Sequence, residues 1–340
     1  MSLDFDTINA KARERLKGFC RVCPVCDGRH CSGQVPGMGG VGSGTAFREN
    51  LHALARYRLR MKTIHDVREP DTKLDLWGQI LSMPIMAAPM TGVSYNMGGD
   101  MSEESFIDGI VEGCMDAGTI GWSGDGADPA MFESGLKAIE KNNGSGIPII
   151  KPRAQDEIIK RIRSAEKAGA IAVGMDIDGA GLVTMALKGQ AVGPKSTAEL
   201  KELVQECSLP FILKGVMTPE DALSALEAGV SAIVVSNHGG RVLDYTPGSA
   251  DVLSEISSLV RGRMIVMADG GVRFGADVLK LLALGADAVM VGRPLIAGLF
   301  GGGTEGVGMV LNKMKNELIQ SMLLTGTQST TKVCPKIIHK

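Results

Sequence analysis

The ten residues Ala232-Ile-Val-Val-Ser-Asn-His-Gly-Gly-Arg241 decide the fold, because a short apolar run passes directly into a polar segment with two glycines. Runs that are apolar at nearly every position are typical of strands buried on both faces of a parallel sheet. The run here covers residues 232–237, and seven similar runs occur elsewhere. They cover residues 84–90, 119–123, 147–153, 170–177, 210–215, 264–270 and 288–294.

Segments of helical periodicity separate these runs, for example residues 156–168 and 219–228. Four of the helical segments end in a glycine, which supplies the left-handed residue that terminates a helix. These glycines are Gly118, Gly169, Gly229 and Gly285. Eight strands alternating with helices predict an α/β fold, a (β/α)8 TIM barrel, over residues 84–326. A doubly wound open sheet is the alternative, and polar residues at several strand ends favour the barrel.

Two smaller parts flank the predicted barrel. Residues 1–83 are predicted to form a helical, cysteine-rich N-terminal extension, with helices near residues 6–18 and 48–62 and a glycine-rich loop between them. Residues 327–340 are predicted to form a C-terminal tail. The run Gly37-Met-Gly-Gly-Val-Gly42 contains a formal G-x-G-x-x-G pattern. No strand precedes it, so a flexible loop is the better interpretation than a nucleotide fingerprint.

The composition limits the classes of partner. The chain has 340 residues, of which 44% are hydrophobic, and its 36 basic and 38 acidic residues give a net charge of −2. Apolar content at this level excludes intrinsic disorder, and the charge balance does not favour nucleic acid as a partner. We find neither an uninterrupted apolar run of about 20 residues nor a signal-peptide pattern, and therefore expect no membrane association and a cytoplasmic location.

Four of the seven cysteines are close together in the sequence, with the spacing C-x2-C-x2-C-x4-C. They are Cys20, Cys23, Cys26 and Cys31. Because a cytoplasmic chain seldom keeps disulfides, this spacing predicts a metal site that holds zinc or an iron–sulfur cluster, and it does not choose between them. His30 is a possible substitute ligand. A patch of reduced, unliganded thiols is the alternative.

Polar residues follow the predicted strands, where the catalytic groups of a TIM barrel lie. Lys214 ends the fifth strand, and His238 follows the sixth between an asparagine and two glycines, a setting that indicates a catalytic base. Gly270-Gly271 and Arg273 follow the seventh strand, and Gly292-Arg293 follows the eighth. Exposed backbone N–H groups, two cations and the following helix N-termini predict a phosphate site there.

These residues carry a family resemblance. Ser236–Arg241, with Lys214 before it and Asp269–Arg273 and Gly292–Pro294 after it, resembles the FMN-dependent α-hydroxy-acid oxidases and dehydrogenases in order and spacing. A weaker match includes Ala87-Ala-Pro89 and Asp176. The resemblance implies an FMN cofactor, a 2-hydroxy-acid substrate and a homo-tetramer.

The resemblance also implies residue roles. His238 would be the base, Arg241 would hold the substrate carboxylate and Lys214 would lie against the flavin N1–C2 edge. Asp269 would be a fourth catalytic residue beside His238, Arg241 and Lys214, and it would contact the ribityl chain or orient His238. The cofactor contacts would be Ala88, Pro89, Met90, Ser123, Lys214, Asp269, Gly270, Gly271, Arg273, Gly292 and Arg293.

The chain also departs from the family pattern. Val242 replaces a glutamine, and the third strand end reads Ile149-Ile-Lys-Pro-Arg153 where the family carries Gln-x-Tyr. A second substrate arginine after the fourth strand is replaced by Gly179-Ala-Gly181. Residues 1–50 contain no tyrosine, and residues 179–195 are fewer than in the family lid.

Because of these departures, the sequence does not specify the substrate or the electron acceptor. Two other functions remain as alternatives. The first is another FMN enzyme on the same barrel, either an isomerase resembling the type 2 isopentenyl-diphosphate isomerases or a reductase that passes electrons to the cysteine cluster. The second is a non-catalytic flavin- or metal-binding protein.

Overall fold

A computed structural model describes residues 3–340, so the first two residues of the predicted N-terminal extension lie outside the described part. The extension contains two helices, a short strand and a hairpin: α1 (Phe5–Arg15), α2 (Thr45–Arg56), β1 (Arg58–Leu59), β2 (Leu74–Leu76) and β3 (Gln79–Leu81). Helix α1 begins after Asp4, whose side chain accepts a hydrogen bond from the Thr7 N–H at 2.7 Å, a common N-cap. Both predicted helices are present, and each ends earlier than predicted.

All eight predicted barrel strands are present. They are β4 (Ile85–Ala87), β5 (Gly121–Ser123), β6 (Gly146–Ile150), β7 (Val173–Asp176), β8 (Phe211–Val216), β9 (Ala232–Val235), β10 (Ile265–Ala268) and β11 (Ala288–Val291). Their order is β4-β11-β10-β9-β8-β7-β6-β5, and every pair is parallel. A bridge between Met90 and Ser123 links the two end strands. The ring is therefore a barrel, as predicted, and not an open sheet.

Helices surround the strands. They are α3 (Val93–Asn96), α4 (Glu103–Asp116), α5 (Pro129–Lys141), α6 (Gln155–Lys167), α7 (Val183–Ala186), α8 (Thr197–Gln205), α9 (Pro219–Ala228), α10 (Ser249–Val260), α11 (Gly275–Ala283) and α12 (Arg293–Thr325). The predicted tail ends in β12 (Ile338–His339), which pairs antiparallel with β1 and so joins the C-terminal segment to the extension.

The core has two layers because successive strand residues point to opposite faces. Ile147, Ile149, Val234 and Met290 belong to the cluster inside the barrel, whereas Ile150 and Val235 pack against the helices. Leu74, Leu76 and Leu81 of the β2–β3 hairpin join the inner cluster. The hairpin touches the residues just before β5 and β6, through Ser82 to Gly118 and Gln79 to Ser145. It therefore closes the N-terminal end of the barrel, and the opposite end remains available for a ligand.

Helix α12 is long and apolar enough to cross a membrane, by length and composition only. An 18-residue window within it has a mean hydropathy of 1.3, although no uninterrupted apolar run was expected from the sequence. More than half of that window (56%) is buried inside the protein. Gly303 has non-helical angles (φ 62°, ψ −155°), so α12 consists of two helices that meet at a kink. Its apolar residues are accounted for by packing within the fold.

Candidate active site

A cavity lies at the C-terminal ends of the barrel strands, where the sequence predicts the site. Twelve of the thirteen predicted catalytic and cofactor-binding residues line it, and the wall also includes residues from the glycine loop, α3 and the β5 and β6 ends. The predicted lining residues are Ala88, Pro89, Met90, Lys214, His238, Arg241, Asp269, Arg273, Gly292 and Arg293, together with Gly270 and Gly271 of the same loop. Ser123 is not among the lining residues.

Ser123 is a correction to the predicted cofactor contacts. Trp122 points into the barrel, so the side chain of Ser123 must point outward, toward α5. A Cβ built on Gly135 of that helix would lie 2.6 Å from the Ser123 Cβ, which places the serine against α5. The lining from this strand end is supplied by Gly124, Asp125 and Gly126 instead.

Lys214 is a buried cation on the cavity floor. Its side chain is 3% exposed, its Nζ donates to Ser236 Oγ at 2.9 Å, and Asp269 Oδ2 lies 3.4 Å away. Burial alone would lower the pKa of Lys214, but the surrounding carboxylates, led by Asp269, outweigh burial and raise it. Lys214 therefore carries its positive charge at neutral pH.

His238 and Asp178 form the acid–base pair of the site. His238 follows β9 in a left-handed conformation (φ 57°), which turns its side chain back over the barrel. Its Nδ1 lies 3.1 Å from Asp178 Oδ1 and 3.9 Å from Asp176 Oδ2. Burial would raise the pKa of Asp178, but His238 and the lysines Lys214 and Lys151 outweigh burial and lower it. The ionised carboxylate orients the ring with Nδ1–H toward Asp178, which leaves Nε2 as a proton acceptor.

The orienting carboxylate is thus Asp178, whereas the resemblance offered Asp269 for either this role or a ribityl contact. Asp269 instead forms the ion pair with Lys214. Asp178 stands two residues beyond the end of β7, at the end of the barrel where the cavity lies. Its pairing with His238 depends on how β7 and β9 are arranged around the ring, which no local pattern specifies.

Arg241 is a cation held by backbone carbonyls and an amide. It donates to Gly37 O and to Gly39 O, and its Nη2 lies 2.9 Å from Asn96 Oδ1. No carboxylate within residues 3–340 forms an ion pair with it. Burial lowers the pKa of Arg241 to about 10. A buried cation without a counter-charge is suited to binding an anion such as a substrate carboxylate.

The glycine loop was predicted to be flexible, and the structure packs it tightly. Gly37 and Met38 line the cavity, Val41 N–H donates to Gly240 O at 2.9 Å, and a Cβ at Gly39 would overlap the Cys31 carbonyl. Its carbonyls are needed by the arginines of the site. The loop is therefore part of the active site, and it is not a nucleotide fingerprint.

Arg293 and Arg273 form a second group of cations. Arg293 stacks on Phe47, with its guanidinium carbon 4.0 Å from the ring centroid, and donates to the carbonyls of Met38 and Gly239. Burial, together with the neighbouring arginines, lowers the pKa of Arg293 to about 9. Arg273 donates to Cys26 O at 3.2 Å and its buried Nε has no partner within residues 3–340. Both cations can therefore bind a phosphate.

The glycines around these arginines keep the backbone close to the cavity. Gly270 and Gly271 have φ values of 99° and 79°, and a Cβ at Gly271 would lie 2.8 Å from the Asn50 carbonyl. At Gly292 a Cβ would lie at ordinary contact distance from two other cavity-lining residues, 3.6 Å from Met90 Sδ and 3.9 Å from Ala88 Cβ. Gly292 also precedes the N-terminus of α12, whose free N–H groups favour an anion.

A different arrangement occurs at the β5, β6 and β7 ends. Lys151 Nζ lies 2.5 Å from Asp176 Oδ2, and Arg153 Nε lies 2.9 Å from Asp125 Oδ2. All four residues are at least 93% buried. Asp176, Asp178 and His238 place ligand atoms within 4.8 Å of one another. Because Lys151 already pairs with Asp176, and Lys214 lies nearby, we assign this cluster to proton chemistry and not to a metal.

The residues present fit an FMN molecule. Among the residues that line the cavity, three buried polar atoms lack a partner within residues 3–340, namely Arg273 Nε, Asp269 Oδ1 and Asp176 Oδ1. Two of them lie where the resemblance implies the phosphate and the ribityl chain. The unpaired arginines match a phosphate, and the buried Lys214 matches the need for positive charge beside a flavin that accepts electrons. Arg273 and Arg293 would hold the phosphate of the cofactor, and Lys214 would lie beside its flavin ring.

Comparison with known proteins agrees with this geometry. The family model for FMN-dependent dehydrogenase matches residues 37–195 and 181–340. The chain belongs to the FMN-dependent dehydrogenase family. The family resemblance predicted from the sequence is therefore confirmed, as are the enzyme class and the FMN cofactor.

Several relatives of this FMN-dependent dehydrogenase cover most of its length. The peroxisomal (S)-2-hydroxyacid oxidase GLO3 of Arabidopsis thaliana is 33% identical, over 88% of this chain and 87% of its own. The 2-hydroxyacid oxidase 1 of Homo sapiens is 31% identical, over 88% and 90% respectively. A solved structure of mandelate oxidase with (S)-2-phenylpropionate superposes with a TM-score of 0.77 and 26% identity, covering 100% of this chain and 98% of that one. These likenesses confirm the barrel fold.

The four cysteines lie in one half-buried segment of the extension, beside the phosphate-site arginines. Arg273 Nη2 is 3.4 Å from Cys26 Sγ. Within residues 3–340, however, no three cysteine sulfurs lie within 4.8 Å of one another. The thiols are free of disulfides, and burial raises the pKa of both Cys20 and Cys31. Their arrangement does not form a preassembled tetrahedral site.

Proposed function

We propose that this FMN-dependent dehydrogenase oxidises a small 2-hydroxy acid to the corresponding 2-oxo acid. One observation carries the proposal: a base oriented by a carboxylate, His238 with Asp178, lines the same cavity as Arg241, a cation with no carboxylate partner within residues 3–340. The relatives named above as 2-hydroxyacid oxidases support it. A 2-hydroxy acid offers the two groups that this site can use, a carboxylate and an adjacent hydroxyl.

The side chains divide the reaction between them. Arg241 binds the carboxylate, and its contacts with Gly37 O and Asn96 Oδ1 fix the plane of the guanidinium. His238 accepts the hydroxyl proton at Nε2, and the Asp178 carboxylate stabilises the imidazolium that forms. Lys214 keeps a positive charge on the cavity floor throughout. FMN, when bound, supplies the two-electron acceptor for the α-hydrogen of the substrate.

The decisive experiment is anaerobic mixing of the FMN-loaded protein with a panel of 2-hydroxy acids while the visible flavin absorbance is recorded. We expect one class of acid to bleach the band, and we expect His238→Ala to slow the bleaching by about 10²- to 10⁴-fold, the usual contribution of a general base. Unchanged flavin content in the variant is the control. If no acid bleaches a fully loaded wild-type protein, the oxidation proposal is wrong and an FMN enzyme of another class becomes the better assignment.

We also propose that the segment with Cys20, Cys23, Cys26 and Cys31 binds zinc or an iron–sulfur cluster after a local rearrangement. The support is the ligand spacing and the shared segment. Metal analysis of anaerobically purified protein tests it, with zinc and iron measured per chain. The Cys23→Ser variant should lose whichever metal is found, and a metal-free wild type would contradict the proposal.

The oligomeric state and the cellular location of the protein are two further proposals. We propose a homo-tetramer, supported by the family resemblance, and keep the cytoplasmic location as a prediction to be tested. Light scattering of the purified protein gives the mass of the assembly, and fractionation of the native cells gives the location. Oxygen consumption during turnover distinguishes oxygen from other electron acceptors.

A further inference from the structure

Tyr95 lies in the cavity wall, in the short helix α3 that follows β4. Its side chain is partly buried and lines the same cavity as His238 and Arg241. The chain has only three tyrosines, and the other two, Tyr57 and Tyr245, are not among the lining residues. The acid–base pair and the phosphate site do not use Tyr95.

Two glycines provide the space for the Tyr95 ring. Gly92 has φ 83°, and a Cβ there would overlap the ring of Tyr95 and approach its hydroxyl to 2.6 Å. On the other side, a Cβ at Gly126 would lie 3.3 Å from the same hydroxyl. Side chains at either position would displace the phenol. The local backbone is therefore shaped to hold the ring in one place.

In the described part of the chain, the Tyr95 hydroxyl has no strong hydrogen-bond acceptor. Among residues 3–340 it contacts Met131 Sδ at 3.6 Å, and a thioether is a weak acceptor. Burial raises the pKa of Tyr95 to about 12, so the group keeps its proton at neutral pH and can donate. A phenol with a fixed ring and a free proton is available to a ligand oxygen.

The residue next to Tyr95 connects it to the anion site. Asn96 Oδ1 accepts from Arg241 Nη2 at 2.9 Å and from Gly37 N–H at 3.1 Å, and its Nδ2 donates to Thr91 O. The side chain of Asn96 is 8% exposed, so this arrangement is held in the interior. Adjacent residues of α3 therefore fix the guanidinium that binds the anion and place a phenol in the same cavity.

We propose that Tyr95 is a substrate-binding residue, whose hydroxyl donates a hydrogen bond to an oxygen of the 2-hydroxy acid held by Arg241. The inference rests on the proposed function and adds a specificity determinant to it. An anionic substrate oxygen is a better acceptor than the Met131 thioether, so substrate binding redirects the hydroxyl. The residue would thereby favour substrates whose oxygens reach both Tyr95 and Arg241.

The test compares Tyr95→Phe with Tyr57→Phe. Tyr57→Phe is a matched control because its hydroxyl lies 3.4 Å from the Ala250 carbonyl, outside the cavity lining. With the acid that bleaches the wild-type flavin, we expect Tyr95→Phe to lower kcat/KM by about 10- to 100-fold, as for loss of a hydrogen bond to a charged group. Tyr57→Phe should stay within about twofold of wild type.

A second measurement does not depend on turnover. Oxalate, an anion that cannot be oxidised as a 2-hydroxy acid, is titrated into the FMN-loaded proteins, and its Kd is read from the change in the flavin spectrum. We expect Tyr95→Phe to weaken oxalate binding by about tenfold or more at unchanged flavin content and Tm. Wild-type values of both kcat/KM and Kd in Tyr95→Phe would overturn the inference. If wild type oxidises no 2-hydroxy acid, the proposed function fails, and the oxalate titration alone decides the role of Tyr95.

Discussion

The two halves of the active site differ in whether their buried cations are paired with carboxylates. At the β9 to β11 ends, Arg241, Arg273 and Arg293 are held by carbonyl groups and have no carboxylate partner within the described chain. At the β5 to β7 ends, Lys151 pairs with Asp176 and Arg153 pairs with Asp125. Buried charge that lacks a partner is costly unless a ligand supplies one, whereas paired charge is complete without a ligand. The first half is therefore built to bind anions, whereas the two ion pairs of the second half maintain the architecture.

The largest expected effect comes from breaking a pair in the second half. Lys151→Met leaves the Asp176 carboxylate buried without its partner, and we expect a loss of about 3–5 kcal/mol in the free energy of unfolding. Urea denaturation of the FMN-loaded protein measures it. In the double variant Lys151→Met/Asp176→Asn the uncompensated charge is gone, so most of the loss should be recovered. A single variant as stable as wild type would show that this pair does not hold the barrel end together.

A smaller effect, on catalysis and not on stability, is expected from the first half. Arg241→Met removes the cation that binds the substrate carboxylate, and we expect kcat/KM to fall by about 30- to 100-fold or more. The free energy of unfolding should change much less than in Lys151→Met, because no carboxylate loses its partner. Steady-state kinetics and urea denaturation on the same preparations give both numbers. If stability fell as far as in Lys151→Met, the contrast between the two halves would be lost.

The smallest expected effect concerns Asp178. This residue follows β7 in the second half of the site, and its carboxylate orients His238 in the first half. The pKa of Asp178 is lowered in the folded protein from the unfolded value of 3.8. The ionised carboxylate therefore contributes its full stabilisation above the unfolded pKa. That stabilisation is lost as the pH falls from about 4 through the folded pKa, and the free energy of unfolding then decreases by at most about 1.4 kcal/mol per pH unit. In Asp178→Asn this part of the pH dependence should be missing. Denaturation series between pH 5 and pH 3 compare the two proteins, and parallel curves would contradict the expectation.

Much of the fold could be predicted because its signals are local. The apolar runs, the terminating glycines and the polar strand ends each occupy a few consecutive residues, and the barrel rule then places those ends together. Lys214, His238 and Arg241 were found in this way. The structure shortens most predicted strands, because the predicted runs included the first loop residues beyond the last backbone pairing.

The residues that were missed depend on contacts between distant segments. Asp178 needs the arrangement of β7 beside β8 and β9, and the Lys151–Asp176 pair needs the neighbouring ends of β6 and β7. The glycine loop was read as flexible because its own sequence carries no packing signal. Its contacts are with Gly240 and the arginines, about 200 residues or more away in the chain. The predicted cofactor contact of Ser123 is wrong because Trp122 points into the barrel, and the alternation of side chains along the strand then turns Ser123 away from the cavity.

Each of the three arginines donates to at least one backbone carbonyl of the segment 26–39, namely those of Cys26, Gly37, Met38 and Gly39. Every amino acid carries a carbonyl, so exchanging a side chain in this segment cannot delete an acceptor. The positions of these arginine side chains therefore depend on the backbone path of the segment and not on the identity of most of its side chains. As far as these arginine contacts are concerned, a change in residues 26–39 is tolerated where the new residue can follow the same backbone path. Gly37, with φ 128°, and Gly39, where a Cβ would overlap the Cys31 carbonyl, are positions where it cannot.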